Sequence, residues 1–449
     1  MGKRIYRAVD VKSVSADALS HRLSGGRVAV GVDIAKRVVY AALVNAQRET
    51  VVTLKWAHPA QTRSFVALLT ALCATGIALE VALEPSGTYG DPLRYLLTES
   101  GIAVFRVSPK RVSDAAEVFD GVPSIHDAKA AALIARLHLD GASKPWVNPD
   151  DAQRTRAAAV ATLERVTEQH QSAQGQLEAQ LARHFPEVTE LLSLGDATLV
   201  QLLAELGGPQ AIATVPDRAR DAMRRFSHGL LLADKVDRVI AAAHTTLGVP
   251  MIDAEIHALK TLAAEGHRAY RAHREATRRL VTLTADDPAC AGMRPVVGAA
   301  TAAVIVTTVG DPQRFASAQA YRKAFGLNLR ERSSGRKQGK LSITKRGPGR
   351  ARRFLHLAVL GLIQRNPIVA AYYRQKVAEK GGQHKLIATT AVMRKVALAL
   401  WHVGRGAPFD AAKLFDTSRL TLPQQVRDHL NRRRVAFVAD VSPSSATCT

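Results

Sequence analysis

Three carboxylates occupy positions where burying a charge is costly unless something receives it. Asp33 closes the run Val28-Ala29-Val30-Gly31-Val32-Asp33. Glu84 closes the alternating stretch 77–84 (IALEVALE). Asp127 opens the segment Asp127-Ala128-Lys129-Ala130. An acid at the end of an apolar strand needs a cation or a partner. Two such acids on neighbouring strand ends repel, and a divalent metal relieves the repulsion. A helix crossing those ends brings a third oxygen to the same point. Hard oxygen donors select Mg²⁺ or Mn²⁺, and two such ions about 4 Å apart activate an attacking oxygen and stabilise a leaving one in phosphoryl transfer. Singly, each acid has an ordinary explanation: Asp33 as a turn acid, Glu84 as an ion-pair partner, Asp127 as a helix cap. Together, on a strongly basic chain, they point to a metal site with Asp33, Glu84 and Asp127 as catalytic ligands.

The elements that must position them follow from the apolar period. Segments 27–33, 38–44 and 50–56 are short, valine-rich and separated by turn residues, so they read as strands. Segment 59–75 has helical period, 77–84 alternates as a strand, 89–99 is helical, 103–107 is a strand and 125–140 is a helix. Three opening strands followed by βα alternation predict a mixed sheet flanked by helices, an α/β domain over 27–147. Residues 1–26 read as a polar extension.

Residues 148–285 are rich in Ala, Glu, Gln, Arg and Leu, with Leu163, Val166, His170, Ala173 and Leu177 recurring at steps of three or four. That predicts long helices, as a coiled coil or an ordinary bundle. Residues 286–415 read as a further, mostly α unit, and 416–449 as a tail.

A second chemical feature lies in that last unit. Between Tyr321 and Leu360 stand twelve Lys and Arg residues against one acid, Glu331. Charges so dense repel unless phosphates neutralise them. Glycines interleaved with them let backbone approach a phosphate chain. Arg330, Arg332, Arg336, Lys337, Lys340, Lys345, Arg346, Arg350, Arg352 and Arg353 are therefore expected to hold nucleic acid. Among them sits Arg332-Ser333-Ser334-Gly335. A serine ringed by arginines can attack a DNA phosphate, with guanidinium groups stabilising the transition state, or can simply hydrogen-bond a phosphate. Composition alone favours the second role.

The 449 residues carry 62 Lys and Arg against 39 acids, a formal net charge of +23. That excess calls for a polyanionic partner, nucleic acid first. Cys73, Cys290 and Cys448 have no zinc-ligand spacing and suggest no disulfide framework, which fits a reducing cytoplasm. The N-terminus lacks the apolar stretch of a signal peptide. The longest nearly apolar run, 296–310, is shorter than the ~20 residues that span a bilayer, so no membrane role is expected.

The order GVDIAK (31–36), ALEPSGTYG (82–90) and HDAKAAALIARL (126–137) resembles the insertion-sequence transposases of the IS-one-ten family, the DEDD transposases. The resemblance implies a ribonuclease-H-like (RuvC-like) first domain, with Asp33, Glu84 and Asp127 on the first three acids of the motif. The fourth acid belongs three residues after the third; Ala130 stands there, with water, His126 or Asp120 as substitutes. PVVGAATAAVIVTTVGDPQRFASAQAYRKAFGLNLRERSSG (295–335) is similar to the family's C-terminal transposase domain. Its GLxPxxxxSG motif is matched, with Leu329 in place of proline. The family's nucleophilic serine falls best on Ser334, with Ser333 as the alternative. The resemblance further implies a bridge RNA pairing with donor and target double-stranded DNA, a covalent phosphoserine link, and a homo-oligomer (dimer or tetramer) in the bacterial cytoplasm at the nucleoid. Two other readings remain: a metal-dependent nuclease of Holliday-junction-resolvase type needing no serine, and a nucleic-acid-binding relative that has lost catalysis.

Overall fold

The computed structural model describes residues 6–23, 26–85, 87–331, 339, 341–379, 381–428, 430 and 432. The chain divides into two compact units, residues 1–150 and 151–449.

The first unit runs β1 (Ala8–Asp10), α1 (Ala16–Ser20), β2 (Arg27–Asp33), β3 (Val38–Val44), β4 (Thr50–Ala57), α2 (Thr62–Ala74), β5 (Ala78–Leu83), α3 (Asp91–Glu99), β6 (Ala103–Val107), α4 (Pro109–Asp114), α5 (Asp127–Leu139) and β7 (Ser143–Pro145). Among the described residues its strands form one seven-stranded sheet in the order β1-β4-β3-β2-β5-β6-β7. β2, β3 and β4 form an antiparallel meander, and β5 and β6 continue from β2 in parallel. This is the mixed, helix-flanked sheet that the valine-rich runs predict, and it has the ribonuclease-H-like (RuvC-like) architecture that the resemblance implies.

The two faces of the sheet are packed differently. Val28, Val30, Val32, Val81 and Leu83 enter a large apolar core with Phe65, Leu69 and Leu72 of α2 and Leu93 and Leu97 of α3. The opposite face of β2 and β3 presents Ala29 and Ala42 to Ala131, Ala132 and Ala135 of α5. Small residues on both sides bring helix and sheet very close. A Cβ placed on Gly31 would lie 2.0 Å from the carbonyl oxygen of Ala131. Only glycine fits there.

The segment read as a polar extension does more than expected. β1 pairs in parallel with the outer edge of β4, and Val11, Leu19 and Leu23 are buried in the main core. Its few apolar residues are too scattered among polar ones to show a period.

The second unit is helical: α6 (Asp151–His184), α7 (Val188–Leu191), α8 (Ala197–Leu206), α9 (Pro209–Thr214), α10 (Pro216–Phe226), α11 (Ala233–Thr245), α12 (Asp253–Leu283), α13 (Pro288–Val297), α14 (Ala299–Thr308), α15 (Ala318–Ala324), the short strands β8 (Leu329–Arg330) and β9 (Ser342–Ile343), α16 (Gly349–Arg365), α17 (Pro367–Ala378), α18 (Lys385–Val403) and α19 (Ala411–Leu414). α6 and α12 lie antiparallel along each other. Leu163 and Val166 meet Ala276 and Leu280 at one end, and Gly266 packs near Ala173 and Leu177 towards the other. The C-terminal part closes over a core of Tyr321, Phe325, Leu327, Leu355, Val359, Val392, Val396 and Leu400. α18 has the length and apolar composition of a membrane span. Its Val392, Val396 and Leu400, however, lie in this core, as expected of a central helix in a globular fold.

Candidate active site

Strand register brings the first two acids together. In the parallel pair β2–β5, Val32 stands opposite Leu83, so the next residues, Asp33 and Glu84, emerge side by side at the strand ends. Side chains alternate along a strand. Asp33 therefore lies on the same face as Ala29 and Gly31, and Glu84 on that of Ala82. That is the face covered by α5, whose Ala130, Leu133 and Ile134 pack with Ala82. Asp127 is the first residue of α5. His126 caps that helix, its Nδ1 accepting from the Lys129 amide at 3.3 Å.

The electrostatics agree with this placement. Burial, reinforced by the negative charge of Asp127, pushes the Asp33 carboxyl up from 3.8 to about 6. Burial and then Asp33 raise Glu84 as well. Asp33 is thus coupled to a carboxylate on either side, and Asp33 and Glu84 are both pushed towards the neutral form. Hard oxygens whose mutual repulsion a divalent cation would relieve are the right donor chemistry for Mg²⁺ or Mn²⁺. Among the described residues, no three His, Cys, Asp or Glu side chains stand close enough to enclose one ion. The acids form two coupled pairs sharing Asp33.

Ala130, at the position of the missing fourth acid, is buried among Ala82, Val107, Val112, Leu133 and Ile134. Asp120, named in its place from the sequence, is held by other partners. Its carboxylate accepts from Lys129 Nζ at 2.7 Å and from the Val122 amide at 3.0 Å, and the Lys129 contact holds it below the usual carboxylate range.

A polar row leads away from Asp33 across the sheet. Asp33 is registered with Tyr40, Tyr40 with Lys55, and Lys55 with Asp10. Tyr6, Tyr40, Lys55, His126 and Asp127 line a cavity of about 330 Å³ beside the acids. Sequence reasoning missed Lys55 and Tyr40. The one available signal was a lysine interrupting the apolar run of β4.

In the helical unit, β8 and β9 pair antiparallel, with Leu329 opposite Ile343, and they flank the arginine-rich serine segment in sequence. Ser333, Ser334, Arg332, Arg336, Lys337 and Lys340 lie outside the described residues. At the base of the pair two stretches of backbone cross in contact. A Cβ on Gly347 would meet the Ala324 carbonyl oxygen at 2.1 Å, and one on Gly326 the Arg346 amide nitrogen at 2.7 Å. Gly326 has a φ of 73° and Lys345 one of 54°, so the crossing depends on backbone that few residues adopt.

Two family models match the chain. One, described as a transposase of the DEDD IS110 type, covers residues 30–186; the other, described as the transposase IS116/IS110/IS902 family, covers residues 293–374. The chain belongs to the IS110 family of DEDD transposases. No curated protein matches it. Family membership makes it an enzyme that acts on and cuts DNA. The first match spans all three acids and the second spans the basic serine segment.

The transposase does not offer all the expected cations equally. Arg330 and the exposed Lys345 and Arg346 lie at the β8–β9 base, with Arg330 Nε donating to Ser342 Oγ at 3.1 Å. Arg350 is ion-paired with Glu164, and Arg353 with Glu168 at 3.6 Å, both on α6. Arg352 is turned inward. Its Nη1 donates to the carbonyls of Phe325 at 3.0 Å and Gly347 at 2.7 Å, fastening the glycine crossing. Arg394, which sequence reasoning did not single out, donates from Nε to the Leu327 carbonyl at 2.9 Å.

Proposed function

We propose that this transposase cuts DNA at a divalent-metal centre held by Asp33, Glu84 and Asp127, and rejoins it through a covalent serine link at Ser334. Mg²⁺ or Mn²⁺ would supply charge neutralisation at the scissile phosphate and at the leaving oxygen. The observation that carries the metal reading is the coupling of Asp33 to carboxylates on both sides, its own carboxyl raised to about 6. The serine reading rests on the motif at 326–335 and on the family match over 293–374.

In this reading the serine hydroxyl oxygen forms a bond to the phosphorus and loses its proton to a base. The bond from phosphorus to the bridging oxygen of the departing strand breaks, and that oxygen takes up a proton. The phosphoserine ester conserves the bond energy, so a second strand's hydroxyl can displace the serine and complete the exchange. Exposed Lys345 and Arg346 hold backbone phosphates near the serine segment. Donor and target double-stranded DNA are the substrates, and a noncoding bridge RNA supplies the sequence choice by pairing, leaving the protein to grip backbone. A homo-oligomer, dimer or tetramer, would let the acids of one copy meet the serine of another. The setting is the bacterial cytoplasm, at the nucleoid.

The test is capture of a protein–DNA adduct on a denaturing gel, using nicked element-end DNA with the guide RNA and Mg²⁺. Wild type forms the adduct; Ser334→Ala and Asp33→Asn do not, and Ser333→Ala does. Undiminished strand cutting by both serine variants would establish a hydrolytic resolvase instead. Tight binding with no cleavage under any metal would mark a relative that has lost catalysis, a reading Ala130 favours.

A further inference from the structure

The seam between α6 and α12 changes character at its centre. Along α12 the buried residues Leu259, Ala263, Gly266 and Leu280 follow heptad spacing, with Ala276 one residue off it, and the positions that continue the series between Gly266 and Ala276 are Tyr270 and His273. On α6 the series Leu163, Val166, Ala173, Leu177 passes through His170. An apolar seam would be the more stable choice. Instead His170 packs 5.7 Å from both Tyr270 and His273, and His267 lies 6.5 Å from Tyr270. The Nδ1 atoms of His170 and His267 are buried with no hydrogen-bond partner, a cost that a packed seam has no reason to carry.

Beside this layer a groove of about 670 Å³ opens between α12 and α8. It is lined by Gln201 of α8, by His228, and by His267, Tyr270, Arg271, Arg274, Glu275 and Arg278 of α12. Its volume falls in the range that accepts a small-molecule-sized group, about 300–1,000 Å³, and is too small for a duplex. Three arginines face it against one acid. Glu275 is paired with Arg278 at 2.9 Å, while Arg274 lies over the Tyr270 ring and donates to its hydroxyl at 3.3 Å. His228 is held at a φ of 51°, a conformation non-glycine residues adopt at some cost.

We infer that this groove seats one unpaired nucleotide, its base against Tyr270 and His267 and its phosphates against Arg271, Arg274 and Arg278. Aromatic faces interleaved with arginines are what an unstacked base and its phosphate require. The side-chain amide of Gln201, which lines the groove, provides hydrogen-bonding groups for a base edge. A paired helix hides its base faces and would leave Tyr270 and His267 without a role. The inference rests on the family's action on nucleic acid, not on the serine or the guide RNA.

The experiment uses the full chain with roughly 12-nucleotide probes: oligo(U) carrying 4-thiouridine, oligo(dT) carrying 4-thiothymidine, and a duplex of equal length. Irradiation should cross-link an unpaired probe within residues 267–278. Tyr270→Leu should weaken single-strand binding about tenfold and leave duplex binding unchanged. Arg271→Ser with Arg274→Ser should reduce the salt slope for single strands by roughly 1.4. Preference for oligo(U) assigns the seat to RNA; equal binding assigns it to any unpaired strand. Absence of a cross-link in 267–278 on the wild-type chain overturns the inference, whether or not the variants fold. So does an equal loss on duplex and single strand, or a Tyr270→Leu effect confined to sedimentation, which would make the groove a contact between copies. Adduct formation through Ser334 is scored separately, and its failure leaves the cross-link result standing.

Discussion

Asp33 and Glu84 are the next residues after the registered pair Val32 and Leu83, and Glu84 lies where the charge of Asp33 is felt. Their juxtaposition has a consequence for stability. The Asp33 carboxyl sits at about 6 in the fold against 3.8 ordinarily. A group raised on folding favours the native state when protonated. Its contribution is complete below pH 3.8 and is lost as pH rises through about 6, so at neutral pH without metal it opposes folding. In EDTA, Asp33→Asn should melt higher than wild type near pH 7, by a few degrees, with the difference shrinking towards about pH 4. With Mg²⁺ or Mn²⁺ the order should reverse, because only wild type gains from binding. Thermal unfolding across pH with and without metal checks both halves. A variant no more stable than wild type in EDTA would show that Asp33 is not under strain.

The close approach of α5 to β2 should be as sensitive as the carboxylates themselves. Gly31→Ala places a methyl carbon 2.0 Å from the Ala131 oxygen and 2.4 Å from the Ala135 nitrogen, backbone atoms that cannot rotate away. The expected cost is about 3 kcal/mol or more, with α5 pushed off and Asp127 carried away from Asp33. Chemical denaturation measures the first effect and metal titration the second. Wild-type values for both would mean the helix has room to move.

These examples separate what the sequence could tell from what it could not. The strand runs, their order and the end positions of Asp33 and Glu84 were legible, because a buried mixed sheet demands valine-rich runs and a charge at a strand end breaks them visibly. β1 was not: three residues at a sheet edge carry no period. The role of Arg352 was equally hidden, since in sequence it is one cation among twelve between Tyr321 and Leu360. Only the three-dimensional crossing at Gly326 and Gly347 distinguishes it from Arg346. The polar layer at His170 was read as part of a helical repeat, and its partners on α12 lie a hundred residues away, beyond the reach of local pattern.

Ala130 offers a direct test of the missing ligand. It lies among Ala82, Val107, Val112, Leu133 and Ile134, so a carboxylate there is desolvated unless a cation meets it. Ala130→Asp should lower the metal-free melting temperature by several degrees and show a larger Mn²⁺-induced rise than wild type. Calorimetric titration of Mn²⁺ should give tighter binding. If metal recovers none of the lost stability, position 130 points away from the site and the fourth donor must be sought elsewhere.

Arg352 and Arg346 should behave as opposites despite their equal charge. Arg352 Nη1 satisfies two backbone carbonyls at the glycine crossing. Arg352→Ala leaves both oxygens without that donor and should cost about 2–3 kcal/mol, visible as a lower unfolding midpoint with no DNA present. Arg346 is exposed. Arg346→Ser should leave the midpoint unchanged and reduce the slope of log affinity against log salt for duplex DNA by about 0.9, the signature of one lost phosphate contact. Denaturant unfolding and salt-dependent binding, run on both variants, resolve the roles. Were Arg352→Ala as stable as wild type and defective only in the salt slope, the arginine would be gripping phosphate, and the crossing would be held by its glycines alone.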